Sequence, residues 1–232
     1  MKAILWDMDG TLVDSEPLWG IATYEMSEQM GARITDEVRA LTVGGTTSNT
    51  VSICADYNNL QLTQLEHKQW VNWMLERVGK LLSEDLEFRP QIPEILQQAS
   101  AEGVPMALVT NTARHLTTMA LRTIGEDNFD FTICADEVEQ GKPAPDLYLA
   151  AAKKLGVQPE QCLAIEDSTA GMSSALGAGC RVLGVPTEDN VAIPNEVQTL
   201  RALTAEQNPP RADFNGMSLD DLRELYDQIS EI

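Results

Sequence analysis

Ala3-Ile4-Leu5-Trp6-Asp7-Met8-Asp9-Gly10-Thr11 is the stretch that decides how the rest of the chain is read. Four consecutive apolar residues are the pattern of a strand buried on both faces, and this one stops at two carboxylates. Similar apolar runs recur at 104–109, 131–134, 162–165 and 182–185. Helical patterns fall between the later ones, at 113–124, 147–155 and 169–178. Gly156 and Gly179 follow two of them, as helix stop signals do. Strands alternating with helices predict an α/β fold around a parallel sheet wound by right-handed crossovers.

Residues 15 to about 85 interrupt that alternation and read as several helices without a convincing strand. Leu18, Ile21, Ala22, Met26 and Met30 recur near helical spacing until Gly31. Thr63-Gln64-Leu65-Glu66 has the form of a capping box opening a helix with Trp70, Trp73, Met74 and Leu81. At least one of the two tryptophans is expected in a core. The simplest organisation is an α/β core of residues 1–14 and 87–232 with a small helical domain, 15–86, inserted after the first strand. Near the end, Pro209-Pro210 reads as a linker and Ser218–Asp221 as the cap of a last helix. His67 and His115 read as surface or boundary residues, and Arg39, Lys68, Arg77 and Lys80 as solvated helix positions.

The 232 residues carry 16 basic and 36 acidic side chains, a formal charge of −20. Nucleic-acid and anionic-membrane binding call for a basic face, so neither is expected. A phosphorylated ligand would need positive charge gathered locally, from a metal, a lysine or backbone N–H groups. Cys54, Cys134, Cys162 and Cys180 are far apart and show no metal-ligand spacing, so they read as free structural thiols. Asp7 and Asp9 cut the first apolar run short, so no signal peptide is expected. No stretch of about 18 apolar residues could span a membrane. The expectation is a cytoplasmic protein.

Four segments at or just beyond the C-terminal ends of predicted core strands, or in the loops that follow, carry chemistry, at the edge where open α/β sheets bind ligands. Asp7 and Asp9 could both approach one site around the bend at Gly10. They could serve as metal ligands, as nucleophile and acid/base, or as solvated turn residues. Thr110-Asn111-Thr112, before a helix, could hold a phosphate oxygen or simply cap the helix. Lys142, between Gly141 and Pro143, could bring a fixed charge to an aspartate–phosphate pair or be a surface lysine. Glu166-Asp167-Ser168 suggests a metal corner or a helix cap, although capping accounts for only one of the acids.

Acid pair, threonine, lysine and acid pair in that order resemble the haloacid dehalogenase superfamily of phosphotransferases over residues 1–190. The resemblance rests on 7–11 with its continuation Leu12-Val13-Asp14-Ser15-Glu16, on Lys142-Pro143 and on Glu166-Asp167-Ser168. The insertion is similar to the helical cap of the phosphoglucomutase-like and sugar-phosphatase branch. That resemblance implies a Rossmann-like core and a Mg²⁺-dependent phosphomonoester hydrolase acting on a small phosphorylated metabolite. Asp7 would be the nucleophile and form an aspartyl-phosphate, with Asp9 as acid and base. The metal would be held by Asp7, Asp9 (through its backbone carbonyl) and Asp167, with Glu166 acting through water. Thr110, Lys142, the Met8 and Asp9 N–H groups and Asn111 would hold the phosphoryl group. Gly45 and Thr46 would face substrate from the cap.

Mutases of this branch carry a histidine about where Trp19 stands, and basic residues around the loop that matches Val43-Gly44-Gly45-Thr46-Thr47. Neither is present, which favours hydrolysis over a β-phosphoglucomutase reaction. The run Asp14-Ser15-Glu16-Pro17-Leu18-Trp19 looks like the hexose- and hexitol-phosphate phosphatases. A receiver-like regulatory domain, the alternative from another class, has a different order of acids and no helical insertion. A monomer or weak dimer is expected.

Overall fold

The computed structural model describes residues 1–43, 45–187 and 191–229, and Gly44 of the predicted cap loop lies outside them. The chain forms two compact units, Met1–Asp14 with Glu87–Ile232, and Ser15–Leu86.

The first unit is built on a sheet of β1 (Ala3–Trp6), β2 (Met106–Thr110), β3 (Phe131–Cys134), β4 (Cys162–Glu166), β5 (Arg181–Gly184) and β6 (Gln198–Thr199). Their order is β3-β2-β1-β4-β5-β6, and every pairing is parallel. All residues of β1, β2 and β4 are buried, as unbroken apolar runs require. β2 starts later than the apolar run 104–109 suggests, because Pro105 has no N–H for the ladder. The Pro105 carbonyl still accepts the Ile4 N–H at 3.0 Å. The two-residue edge strand β6 has no apolar run to announce it. From β1 the chain moves outward through β2 and β3, then returns to place β4 on the other side of β1. That reversal creates a switch point at the carboxyl ends of β1 and β4, where such sheets bind ligands.

The second unit contains α1 (Glu16–Met30), α2 (Asp36–Ala40), α3 (Thr47–Tyr57) and α4 (Gln64–Glu84). Thr35, Thr46 and Thr63 cap the last three, each accepting a backbone N–H. Both arms of the Thr63–Glu66 capping box are made. Thr46 Oγ1 accepts from the Asn49 N–H at 3.2 Å, and the Gly45 N–H donates to Thr42 O. Ala22, Met26, Val51, Cys54, Met74, Val78 and Leu82 form the buried interior.

Three expectations need correction here. Ile21 faces outward, because α1 turns its stripe through Leu18, Ala22 and Met26 instead. Trp70 and Trp73 are both only half-buried; their rings meet edge to face at 6.1 Å and shield each other. Arg39 is buried rather than solvated, pairing with Glu16 and donating to Thr42 Oγ1. Arg77 likewise pairs with Glu25.

In the first unit α5 (Ile92–Ala101), α6 (Arg114–Ile124), α7 (Asp146–Leu155), α8 (Thr169–Gly177), α9 (Leu200–Leu203) and α10 (Leu219–Gln228) accompany the sheet. Leu147, Tyr148, Ala151 and Ala152 of α7 join Met172 and Ala175 of α8 in one buried cluster with Leu5, Val109 and Ala164. Pro209-Pro210 lies in an exposed stretch, and the Ser218–Asp221 box opens α10 as its spacing predicts. All four cysteines are free and buried. Among the described residues no helix is long and apolar enough to cross a membrane.

Candidate active site

Asp7 follows β1 directly, and its N–H donates across to Ile165 O of β4 at 3.1 Å, tying it to the switch point. The chain then folds back on itself. The Met8 carbonyl accepts the Leu12 and Val13 N–H groups, while the Gly10 N–H donates to Val13 O. Gly10 has φ +82°, and a Cβ there would lie 2.1 Å from Asp167 Oδ2. Glycine is therefore required both by the turn and by the approach of the Asp167 carboxylate.

Lys142 reaches the same place from the loop before α7. Asn111, just beyond β2, clamps that loop: its Oδ1 accepts the Lys142 N–H at 2.8 Å and its Nδ2 donates to Lys142 O at 3.1 Å. Both ends of the Asn111 amide are thus committed to holding the lysine backbone. The Lys142 ammonium is buried and donates to Asp7 Oδ1 at 2.6 Å and Val109 O at 2.9 Å. It also lies 2.6 Å from Glu166 Oε1. The surface-lysine alternative is excluded by that burial.

Glu166, the last residue of β4, is wholly buried, and Asp167 stands beside it. Carboxylate oxygens of Asp7, Glu166 and Asp167 lie within 4.8 Å of one another. Burial and the charge of Glu166 push the Asp7 carboxyl well above its ordinary range. The same two causes raise Asp167 to about 7. Burial opposes the Lys142 charge, yet the flanking carboxylates Asp7 and Glu166 hold its pKa above the usual lysine value. One ammonium for three crowded acids leaves an excess of negative charge. Hard oxygens so arranged fit a divalent cation, which would relieve that repulsion.

Asp9 is half-buried, and its Oδ2 accepts the Thr112 hydroxyl at 2.6 Å. Thr110 is buried at the end of β2, its Oγ1 accepting the Thr112 N–H at 2.9 Å. Asp7, Asp9, Thr110, Lys142, Glu166 and Asp167 are thus gathered at one sheet edge, and the Met8 side chain is buried. Gly45 and Thr46 belong to the helical unit and have the local roles given above.

Two contributors escaped the sequence reading. Tyr148, on the buried face of α7, donates its hydroxyl to Glu166 Oε1 at 2.6 Å. A buried tyrosine needs a partner for its O–H, which was the available signal. Gly171 lies in the first turn of α8, where a Cβ would come within about 2 Å of the Glu166 carboxylate (1.9–2.1 Å). Glycine inside a helix start, where it costs stability, was the signal there.

An acidic cluster with a buried lysine at the switch point of a parallel sheet defines an α/β enzyme suited to a divalent cation. The chain belongs to the haloacid dehalogenase-like hydrolase family, whose model matches residues 4–185. It is 30% identical over 187 residues to a phosphorylated carbohydrates phosphatase of Thermotoga maritima, covering 80% of this chain and 85% of that one. Hexitol phosphatase A of Escherichia coli is 29% identical over 224 residues, covering 90% and 95%. The crystal structure of CbbY from Rhodobacter sphaeroides in complex with phosphate superposes with a TM-score of 0.72 at 27% identity, covering 86% and 92%.

Proposed function

We propose that this enzyme is a Mg²⁺-dependent phosphoric monoester hydrolase acting on small phosphorylated metabolites, sugar and sugar-alcohol phosphates foremost. The observation that carries the reading is the meeting of Asp7, Lys142 and the Glu166-Asp167 pair at the switch point. Relatives named for phosphorylated carbohydrates and hexitols support the substrate class. The absence of a histidine at Trp19 and of basic residues in 43–47 supports hydrolysis over transfer to a second sugar position.

Asp7 attacks phosphorus in line, its carboxylate oxygen forming the new P–O bond as the ester P–O bond breaks. Asp9, oriented by the Thr112 hydroxyl, gives its proton to the departing alkoxide oxygen. The same carboxylate then takes a proton from water, which attacks the aspartyl-phosphate and releases inorganic phosphate. Lys142 offsets the repulsion between the Asp7 carboxylate and the phosphate dianion, and Thr110 with the Met8 and Asp9 N–H groups holds phosphoryl oxygens. Asn111 serves by fixing the Lys142 loop. Asp7, Asp167, Glu166 and the Asp9 carbonyl would hold Mg²⁺, which supplies positive charge to the transferring phosphoryl group. Residues 15–86 are assigned to substrate selection, and residues 1–14 with 87–232 to the chemistry. We place the enzyme in the cytoplasm, a monomer or weak dimer working without nucleic acid or membrane.

The test is phosphate release from p-nitrophenyl phosphate and a panel of phosphorylated sugars, sugar alcohols and nucleotides, with Mg²⁺ or with EDTA. Metal-dependent release that disappears in Asp7→Asn is expected. Release unchanged by Asp7→Asn would overturn the nucleophile and with it the mechanism.

A further inference from the structure

Two buried carboxylates share one ammonium in this site, and Glu166 has a further donor. Its Oε1 sits 2.6 Å from Lys142 Nζ and 2.6 Å from the Tyr148 hydroxyl, with both donors buried. Its Oε2 lies 3.4 Å from Ser168 Oγ. On its remaining side the carboxylate rests against Gly171, where even a methyl group has no room. Tyr148 touches the lysine as well, the ammonium lying 5.4 Å from the centroid of its ring. No other side chain among those described here bridges Glu166 and Lys142 in this way.

We propose that Tyr148 is a positioning residue for the hydrolytic reaction: its hydroxyl holds Glu166 Oε1 so that the Lys142 ammonium stays directed at Asp7. A buried carboxylate left short of a donor draws on whichever cation is nearest. Tyr148 supplies Glu166 with a donor that carries no charge, so the lysine need not be surrendered to it. Without that hydroxyl the ammonium, already 2.6 Å from Glu166, serves that carboxylate first and draws away from Asp7. Asp7 then loses part of the positive charge that permits its approach to a phosphate dianion. Outer partners that orient groups around a site typically cost about 10–100-fold in activity or affinity when removed, which sets the expected size.

This inference rests on the hydrolase reading, and the experiment separates the two. Wild type, Tyr148→Phe and Tyr148→Met are assayed on p-nitrophenyl phosphate with saturating Mg²⁺, beside Asp7→Asn. Urea unfolding of the metal-free proteins and calorimetric binding of inorganic phosphate to the Mg²⁺ forms accompany the assay. Tyr148→Phe is expected to unfold cooperatively while its kcat falls about tenfold or more, with KM within about twofold. Its affinity for inorganic phosphate should weaken severalfold, and Tyr148→Met should lose little beyond Phe. A Phe variant within about twofold of wild type in kcat overturns the proposal, and so does loss confined to Met, which would make ring packing the cause. Survival of turnover in Asp7→Asn would instead overturn the hydrolase mechanism.

Discussion

Lys142 Nζ lies 2.6 Å from Asp7 Oδ1, an ion pair with both side chains at least nine-tenths buried (3% and 8% exposed). They are 135 residues apart in sequence, brought together by the parallel sheet and by the Asn111 clamp on the Lys142 loop. The same ammonium also contacts Glu166, so one cation stabilises two acids.

Lys142→Met therefore strands two buried carboxylates. Breaking a buried pair by removing one partner costs about 3–5 kcal/mol, more than the apolar methionine can return by packing. Urea denaturation of the metal-free protein should show a loss of that order. Phosphate release should fall about 100-fold or more. A loss below about 1 kcal/mol would mean that the lysine is not the counter-charge of these two acids.

The raised carboxyls give a pH dependence of definite sign. A carboxyl whose folded pKa is raised binds more protons in the folded than in the unfolded state. For Asp167 the resulting stability is present below the ordinary value of 3.8 and lost as pH climbs to about 7. Asp167→Asn removes that loss. In EDTA the variant should gain on wild type between about pH 5 and 7.5, by roughly 5 °C in Tm. Mg²⁺ at the upper pH should reverse the order, since wild type alone keeps the ligand. A difference independent of pH would contradict the assignment.

Gly171→Ala sets two effects against each other. Alanine favours the helix by about 1 kcal/mol over glycine. The new Cβ would lie 1.9–2.1 Å from the Glu166 carboxylate atoms, and overpacking of that kind costs about 1–3 kcal/mol. The steric effect wins, so the variant should be less stable and slower. A stabilised, fully active Gly171→Ala would show that Glu166 has freedom to move aside.

Thr63→Ala removes one arm of the capping box on α4. Its cost is that of a lost helix cap, about 2–4 °C in Tm. The kinetic constants on p-nitrophenyl phosphate should stay at wild-type values, because the residues assigned to the chemistry all belong to the other unit. A fall in kcat would link the α4 start to chemistry.

The strands were legible because β1, β2 and β4 are buried on both faces and so carry unbroken apolar runs. β6 was not, since two polar residues at a sheet edge leave no periodic trace. Among the site residues, Asp7, Asp9, Glu166 and Asp167 stood out by type and by position after those runs, and Lys142 by its place in a turn between Gly141 and Pro143. Tyr148 and Gly171 did not, because their roles depend on which face of a helix meets Glu166. Arg39 read as solvated because its partner Glu16 is 23 residues away.

Residue order along the chain, acids after the first and fourth strands with a lysine before α7, was enough by itself to point to the family. Such signals are local: a carboxylate pair, a turn and an apolar run each occupy a few adjacent positions. That one ammonium lies between Asp7 and Glu166, and that the Tyr148 hydroxyl donates to the same Glu166, was decided only by the tertiary structure. Hydrogen bonds and ion pairs act over about 3 Å, and only the folded sheet brings residues 7, 142, 148 and 166 within that reach.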